Sequence, residues 1–358
     1  MKYNIQLNKT TNSRLSQVDF DNIPFGKVFS DHMFVAEYKD GAWSDMRIEP
    51  FGYFEVHPAC LALHYGQAIF EGMKASADAN GNAYFLRPEK HVERLNRSAE
   101  RLCMPTFPEE AFLQAIHTLV DLDKEWIPKA KGSALYIRPY MFADGEFLGV
   151  RASDSYKFII FTGPVGPYYP KPVSLYAETE YIRAAEGGIG EAKAAGNYSA
   201  SLLPARKANE KGYDQILWLD AKEFKYIQEV GTMNIFFVID GKVITPHAGG
   251  TILRGITRET ILMLLEKHGY DIEVRPITID EVVEAHKNGT LQECFGTGTA
   301  AVVAHVHLIS YQGEDMELPA METRKIGTFI KDTIDGLRNR TIEDTEGWIV
   351  PVKAFETV

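Results

Sequence analysis

A proline-rich segment near the middle of the chain most limits how the 358 residues can fold. From Gly163 to Pro172 the sequence reads G-P-V-G-P-Y-Y-P-K-P. Proline fixes φ and removes backbone donors, so we predict that this segment does not continue a helix or a central strand. A chain of this length also exceeds one ordinary hydrophobic core. We therefore predict a smaller N-terminal α+β domain over residues 1–165, a semi-rigid linker over 166–176 and a larger C-terminal domain over 177–358.

Short apolar runs and the positions of proline and glycine predict both strands and helices in each half. The main predicted strands are 34–38, 53–57, 134–142, 156–162 and 215–219, with further strands within 226–245. The predicted helices are 88–104, 109–126, 257–268 and 279–287. Asp240-Gly241 between apolar runs predicts a hairpin turn. The irregular order of these elements indicates an α+β fold rather than a regular βαβ alternation.

The composition excludes several classes of function. A net charge of −11 argues against nucleic acid or an anionic membrane as the main partner. Three widely spaced cysteines without a C-x-x-C argue against a disulfide framework or a structural zinc site. The N-terminus lacks the apolar core of a signal peptide, and no apolar run approaches the roughly 18 residues that span a bilayer. We therefore expect a cytoplasmic protein in a reducing compartment, with no metal site.

Lys193 lies in the glycine-rich stretch G-G-I-G-E-A-K-A-A-G-N-Y. Glycine allows close backbone approach and left-handed conformations, which could hold a lysine in a pocket. Glycine-rich stretches are also common in solvated loops that carry a surface lysine. Glycine content alone therefore favours the surface loop, and further signals are needed to assign chemistry to Lys193.

Three later segments supply such signals. In E-V-G-T-M-N, Glu229 stands where a strand enters a glycine kink, and a buried carboxylate needs a partner such as a protonated pyridine nitrogen. Gly255 precedes a predicted helix that begins near Thr257, and a helix N-terminus of this kind suits a phosphate. The small residues of Gly296–Ala301 allow a ligand to approach the backbone. Taken alone, Glu229 is equally consistent with an ordinary strand end, the Gly255 segment favours a simple helix cap, and 296–301 is consistent with a tight turn.

Together and in this order, the segments resemble those of the branched-chain amino acid aminotransferases, which are fold-type IV pyridoxal-phosphate (PLP) enzymes. The resemblance runs from Phe25 over nearly the whole chain, and its most specific blocks are L-H-Y-G-Q-A-I-F-E-G-M-K, Q-I-L-W-L, E-V-G-T-M-N and G-T-G-T-A-A. It implies a two-domain α+β fold like that of D-amino acid aminotransferase, with PLP in the cleft between the domains. It also implies a homodimer that reversibly transaminates L-leucine, L-isoleucine and L-valine with 2-oxoglutarate, giving branched 2-oxo acids and L-glutamate.

The resemblance further implies a role for each site residue. Lys193 would form the Schiff base with PLP and move a proton between Cα and the cofactor C4′. The other cofactor contacts would be Arg94 at the phosphate, Tyr198 at the phenolic oxygen, Glu229 at the pyridine nitrogen, and Leu253, Ile256, Thr257 and Thr299 around the phosphate. The substrate contacts would be an aromatic pocket of Phe25, Tyr65, Phe70, Tyr136 and Tyr168, the α-carboxylate site of Thr232, Ala300 and Ala301, and Arg138 at the distal carboxylate of glutamate. Tyr65 and Phe70 would come from the second subunit.

One family feature is absent, and two alternative functions stay open. Some animal members carry a redox C-x-x-C where this chain has Ala301-Val302-Val303-Ala304. D-amino acid aminotransferases and aminodeoxychorismate lyase share the lysine and the carboxylate, although the aromatic pocket favours the branched-chain interpretation. A non-catalytic phosphate- or nucleotide-binding protein is the second alternative, but no Walker motif or strand–G-x-G-x-x-G–helix unit is present. His305 and His307, two apart on a predicted strand, are more typical of packing than of a metal ligand set.

Overall fold

The computed structural model describes residues 3–169 and 171–354, and the chain divides into two compact units. The first unit consists of three pieces of the chain: the part up to Tyr168, the short segment Ala192–Ala195 and the part from Asp335 onward. The second unit is Tyr169–Glu191 with Gly196–Ile334. This division departs from the predicted bounds, because the lysine segment and the C-terminal region group with the first unit, which is the larger.

The first unit is built on one mixed sheet with two long helices against it. Its strands before the proline-rich segment are β1 (Gln6–Leu7), β2 (His32–Lys39), β3 (Ala42–Pro50), β4 (Ala68–Phe70), β5 (Met73–Ala77), β6 (Ala83–Leu86), β7 (Ala134–Ala143) and β8 (Tyr156–Val165). Its helices in the same region are α1 (Leu61–Tyr65), α2 (Pro88–Arg101) and α3 (Glu109–Leu122), with 3-10 turns at Leu15–Gln17 and Lys124–Trp126. The long antiparallel pair β7–β8 forms the middle of this sheet.

Helix α2 matters for the site because it carries several of the residues described below. Pro88 occupies its first turn, where a missing N–H costs nothing. Val92, Leu95 and Ala99 lie on one face and are buried in the core of the unit. Burying the Val92 and Leu95 side chains stabilises the fold by about 1.5–3 kcal/mol each. This packing holds α2 in place against the core.

The second unit also has a nine-stranded mixed sheet. Its strands are β9 (Val173–Ala177), β10 (Gln215–Leu219), β11 (Ile227–Val230), β12 (Asn234–Ile239), β13 (Lys242–Thr245), β14 (Ile272–Val274), β15 (Leu291–Gly298), β16 (Val302–Tyr311) and β17 (Glu314–Glu317). The later helices of the chain are α4 (Ala195–Ser199), α5 (Leu202–Glu210), α6 (Ile256–Lys267), α7 (Ile279–Lys287) and α8 (Ile326–Arg338), with a 3-10 turn at Met321–Thr323. The strand order is β11-β10-β9-β16-β15-β12-β13-β14, with β17 beside β16.

The last strand, β18 (Ile349–Pro351), returns to the first unit and pairs antiparallel with β6. The order of that sheet is therefore β1-β3-β2-β8-β7-β5-β6-β18, with β4 beside β7. A mixed arrangement of this kind in each unit confirms the predicted α+β class.

Three local predictions are wrong. The segment from Gly163 was expected not to continue a central strand, but β8 lies between β2 and β7 and runs through Pro164 to Val165. The predicted strand at 53–57 does not form. No strand of the described chain pairs with these residues, and Tyr53 is fully exposed. The predicted linker is too long at its C-terminal end, since β9 already begins at Val173. The predicted helices 88–104 and 109–126 form but end earlier, at Arg101 and Leu122.

Two kinds of feature are absent from the described residues. Within residues 3–169 and 171–354, no helix is both long and apolar enough to cross a membrane. Over the same ranges, no group of three or more His, Cys, Asp or Glu side chains could hold a metal ion.

Candidate active site

Lys193 is held by its backbone within the first unit. Its N–H donates to Ser98 Oγ at 2.9 Å, and its carbonyl accepts from the Phe70 N–H at 3.0 Å. The next residue, Ala194, forms an isolated antiparallel bridge with Ile69 and is buried. The stretch around Lys193 is therefore a fixed segment that is fastened to β4 and α2, and not a solvated surface loop.

Of the two aromatic residues that were expected from a second subunit, Phe70 lies close to Lys193 of the same chain and Tyr65 does not. The Phe70 ring centroid lies 5.0 Å from Lys193 Nζ of the same chain. The expectation that Phe70 reaches this lysine from a second subunit is therefore wrong. Tyr65 ends α1, is 46% exposed and has the His64 ring as an aromatic neighbour. The structure does not bring Tyr65 to the lysine, and its role at a subunit interface stays a prediction.

The other predicted pocket residues of the first unit form a connected group. Phe25 meets Tyr168 and Tyr136 edge-to-face, with ring centroids 4.8 and 5.5 Å apart. Arg138 donates through Nη2 to Tyr136 Oη at 3.0 Å, and its Cζ lies 4.8 Å from the Phe70 centroid. Tyr136 and Arg138 are two residues apart on β7 and so share one face of the strand. The group thus runs from Phe25 to Phe70, and from Phe70 to Lys193.

One feature of this group reflects close packing, and a second points to a ligand. Gly72 lies beneath Tyr136, because a Cβ at residue 72 would overlap the Tyr136 hydroxyl. Arg138 Nε is buried and has no hydrogen-bond partner among the described residues. A buried charged donor without a partner is costly, so Arg138 is suited to bind a carboxylate.

Arg94 belongs to a buried network that sequence reasoning missed. Its Nε and Nη2 donate to the two carboxylate oxygens of Glu71 at 2.7 and 2.8 Å, and His91 Nδ1 lies 2.8 Å from one of them. Burial alone would raise the pKa of the Glu71 carboxyl, but the Arg94 charge and the hydrogen bonds from Arg94 and His91 hold that pKa well below its usual range. Burial also lowers the pKa of His91, against the opposing effect of the Glu71 carboxylate. The guanidinium plane of Arg94 is thereby fixed.

The sequence did carry one sign of this network. Glu71 is a lone carboxylate in the apolar run A-I-F-E-G-M, and it is fully buried. A carboxylate in such a run requires a cationic partner, which could have directed attention to the arginines of α2. The predicted phosphate role of Arg94 is not tested by these contacts. They show that two of its five N–H donors are committed to Glu71.

In the second unit, Glu229 is a buried carboxylate whose partners include Arg183, Asn234 and the Leu253 N–H. Its Oε2 forms an ion pair with Arg183 Nε at 2.7 Å. Its Oε1 accepts from Asn234 Nδ2 at 3.0 Å and from the Leu253 N–H at 3.1 Å. Sequence reasoning assigned Glu229 but missed Arg183 and Asn234, although Asn234 stands in the same E-V-G-T-M-N block.

An open cavity surrounds this carboxylate. Four residues with a predicted role line it, namely Tyr198, Glu229, Thr232 and Leu253. The remaining lining residues are Arg183, Asn197, Ser201 and Gly231. Gly231 has a φ of +53°, a conformation that glycine adopts without strain, and this allows the tight turn between β11 and β12.

The predicted phosphate cradle lies at the start of α6. Gly255 is the N-cap residue of this helix and has no side chain. The N–H groups of the first turn are therefore not satisfied by a capping side chain. Gly255 cannot carry a side chain, because a Cβ there would overlap the carboxamide of Asn234. Asn234 therefore contacts both Glu229 and the N-terminus of α6. This geometry suits an anion, as the helix dipole and the N–H groups both favour negative charge.

The third predicted segment forms the turn between β15 and β16. Thr299, Ala300 and Ala301 occupy this turn, and none of them lines the cavity around Glu229. Thr297, just before it, pairs with Asn234 across the sheet, and its buried hydroxyl has no hydrogen-bond partner among the described residues. Cross-strand partners share a face, so Thr297 is a further hydroxyl on the face of Asn234. Sequence reasoning chose Thr299 and did not single out Thr297.

Comparisons with known proteins show the family to which the chain belongs. The family described as amino-transferase class IV matches residues 68–309, so the chain belongs to the class IV aminotransferases. The branched-chain-amino-acid aminotransferase 2 of Bacillus subtilis (strain 168) is 47% identical over 349 residues, which cover 96% of each chain. The predicted fold-type IV architecture and aminotransferase class are thereby confirmed.

Solved structures agree as well. The Escherichia coli branched-chain amino acid aminotransferase matches with a TM-score of 0.73 at 25% identity, covering 90% of this chain and 99% of that one. The branched-chain amino acid aminotransferase from Thermobaculum terrenum, in its PLP-form, matches with a TM-score of 0.71 at 25% identity, covering 91% of this chain and 100% of that one.

Proposed function

We propose that this enzyme catalyses the PLP-dependent, reversible transamination of L-leucine, L-isoleucine and L-valine with 2-oxoglutarate, giving branched 2-oxo acids and L-glutamate. The observation that carries the proposal is the group around Lys193, in which an amine, aromatic walls and an arginine with a buried, unsatisfied Nε are connected. The names of the relatives support the branched-chain assignment.

The polar groups of the second unit fit pyridoxal phosphate. An uncapped helix N-terminus and the orphaned Thr297 hydroxyl suit a phosphate, and a buried carboxylate suits a protonated ring nitrogen. When bound, this cofactor supplies an electron sink for the pair left at the substrate Cα. We propose that it is held by Lys193, Arg94, Tyr198, Glu229, Leu253, Ile256, Thr257 and Thr299, and that Thr232, Ala300 and Ala301 hold the substrate α-carboxylate.

Lys193 would carry the proton during the reaction. With its backbone fixed by Ser98 and Phe70, its Nζ would take the proton from the substrate Cα and return it at the cofactor C4′. A positioned base of this kind contributes a factor of about 10²–10⁴ in rate. Glu229 would hold a proton on the ring nitrogen, since its carboxylate is oriented by Asn234 and the Leu253 N–H.

The pocket must accept two unlike side chains in turn. Phe25, Phe70, Tyr136 and Tyr168 offer the apolar walls that leucine, isoleucine and valine need. Arg138 offers its buried Nε to the distal carboxylate of glutamate or 2-oxoglutarate. One pocket can therefore serve both half-reactions without rearranging its walls.

Replacing Arg138 with alanine tests this dual use. We expect the KM for 2-oxoglutarate to rise by about 10–100-fold, the worth of one hydrogen bond to a charged group, and the KM for L-leucine to change little. Arg151→Ala is the matched control, because Arg151 also lies over an aromatic ring, Phe147, but is surface exposed. Equal effects of Arg138→Ala on both KM values would contradict the assignment.

An optical experiment tests the proposed function as a whole. The purified protein should show a visible absorption band, and L-leucine should convert it to that of the pyridoxamine form. Adding 2-oxoglutarate should restore the first band. A protein that stays colourless and unreactive after PLP is added back would defeat the proposal. A faster response to D-alanine than to L-leucine would favour a D-amino acid aminotransferase instead.

We also propose that the enzyme is a cytoplasmic homodimer. Several large apolar side chains of the first unit are exposed, including Tyr53 at 107%, Leu63 at 69% and Val150 at 89%. A bridge between Cys60 and Glu146 links the two segments that carry them. Exposed apolar side chains clustered in this way are typical of a protein interface. Sedimentation equilibrium should therefore give the mass of two chains, whereas the mass of one chain would contradict the dimer.

A further inference from the structure

We propose that Ser98 is a positioning residue that sets where Lys193 acts, by fastening the lysine backbone to helix α2 one turn after Arg94. The inference rests on the proposed role of Lys193 in proton transfer. It adds a specific residue, outside the lysine segment and outside the aromatic pocket, on which that proton transfer depends.

The contacts of Ser98 carry the proposal. Ser98 is 1% exposed, and its hydroxyl oxygen accepts the Lys193 N–H at 2.9 Å. The same hydroxyl donates to the Arg94 carbonyl at 3.0 Å. A serine hydroxyl has one proton and two lone pairs, so it makes both bonds at once. Ser98 therefore joins the lysine backbone to the residue one turn earlier on α2.

The lysine backbone depends on this bond because no regular element holds it in place. Lys193 lies outside any helix or strand, between a turn and the single bridge of Ala194 with Ile69. Its carbonyl is held by the Phe70 N–H on one side, and its N–H is held by Ser98 on the other. Loss of the serine hydroxyl would take this acceptor away from the Lys193 N–H and would allow the segment to shift.

Helix α2 gives the arrangement its rigidity. Arg94 and Ser98 are four residues apart, so they share a face and are separated by about 6 Å along the helix axis. The helix thus acts as a spacer between the Arg94 guanidinium and the backbone of Lys193. A misplacement of about 1 Å at a reacting group can cost about 10²-fold in rate.

Ser98→Ala in the PLP-loaded enzyme tests the inference. We expect kcat for L-leucine with 2-oxoglutarate to fall by about 10–100-fold, with the KM for L-leucine nearly unchanged. The kinetic isotope effect with Cα-deuterated L-leucine should rise, because proton transfer by a displaced lysine becomes more rate-limiting. A merely structural defect would lower the fraction of active enzyme and leave the isotope effect unchanged, and that result would overturn the proposal.

Two controls distinguish the bond to Lys193 from a general effect on helix packing. Thr118 makes the same bond within its own helix, from Oγ1 to the Gln114 carbonyl at 2.8 Å, and is also buried, so Thr118→Ala should leave kcat and the isotope effect unchanged. Ser98→Thr and Ser98→Val have nearly the same shape and differ in the hydroxyl. The threonine variant should keep most of the activity and the valine variant should not; equal behaviour of the two would overturn the proposal.

The outcome is separable from that of the proposed function. A wild-type protein that neither binds PLP nor transaminates would overturn the proposed function. A wild-type enzyme that is fully active, with Ser98→Ala unchanged in kcat and in isotope effect, would overturn only the role of Ser98.

Discussion

Replacing Lys193 with alanine should lower the turnover of L-leucine by at least about 10³-fold. The same side chain would hold the cofactor and would move the proton at Cα, so the variant loses both functions at once. The measurement is steady-state formation of L-glutamate, together with the visible spectrum of the purified variant. The band of the wild-type enzyme should be absent or shifted to that of free PLP.

A second lysine provides the control for this experiment. Lys207 lies on α5, and its Nζ donates to Tyr181 Oη at 2.6 Å at the protein surface. Lys207→Ala should therefore keep wild-type turnover and spectrum. If Lys193→Ala retained a tenth or more of the wild-type turnover, Lys193 would not be the catalytic amine.

Replacing Glu229 with glutamine should lower turnover by about 10²–10³-fold and should also destabilise the protein. Turnover should fall because a neutral amide cannot hold a proton on the ring nitrogen. Stability should fall because the Arg183 side chain, which is 11% exposed, loses its anionic partner. Removing one member of a buried pair typically costs about 3–5 kcal/mol. Turnover and chemical denaturation of the cofactor-free protein measure the two effects separately.

The double variant Glu229→Gln with Arg183→Gln separates catalysis from stability. Removing both charges leaves no unpaired buried ion from this pair, so much of the free energy of unfolding should return. Turnover should stay low, because the carboxylate is still missing. Recovery of both stability and turnover would mean that Glu229 has only a structural role.

The sequence predicts local elements well where the hydrophobic pattern is bounded by clear turn residues. Strand Gln215–Leu219 and helix Ile279–Lys287 have the predicted bounds. Asp240 and Gly241 have φ values of 50° and 78°, as the predicted hairpin turn requires. In contrast, the apolar residues at 53–57 predicted a strand that does not form. A strand needs a partner strand, and a local sequence pattern does not reveal whether the described chain supplies one.

Long-range contacts explain what the sequence missed in the site. Lys193 and Glu229 stand in recognisable blocks, whereas Ser98 looks like an ordinary small residue in an amphipathic helix. Its bond to Lys193 spans 95 residues of sequence. Arg183 likewise looks like a solvated arginine until the fold brings it to Glu229. Such pairs are set by tertiary structure, and composition or periodicity does not encode them.

The grouping of residues from Asp335 onward with the first unit has a consequence for biosynthesis. The edge strand β18 beside β6, and the Lys193 segment beside β4 and α2, are made long after the sheet that they complete. Many multidomain chains fold vectorially, with the N-terminal domain finished before the next emerges from the ribosome. Here the first unit stays incomplete, with the β6 edge unpaired, until β18 has been synthesised. A nascent chain arrested before residue 349 would therefore display an open sheet edge to chaperones and to neighbouring chains.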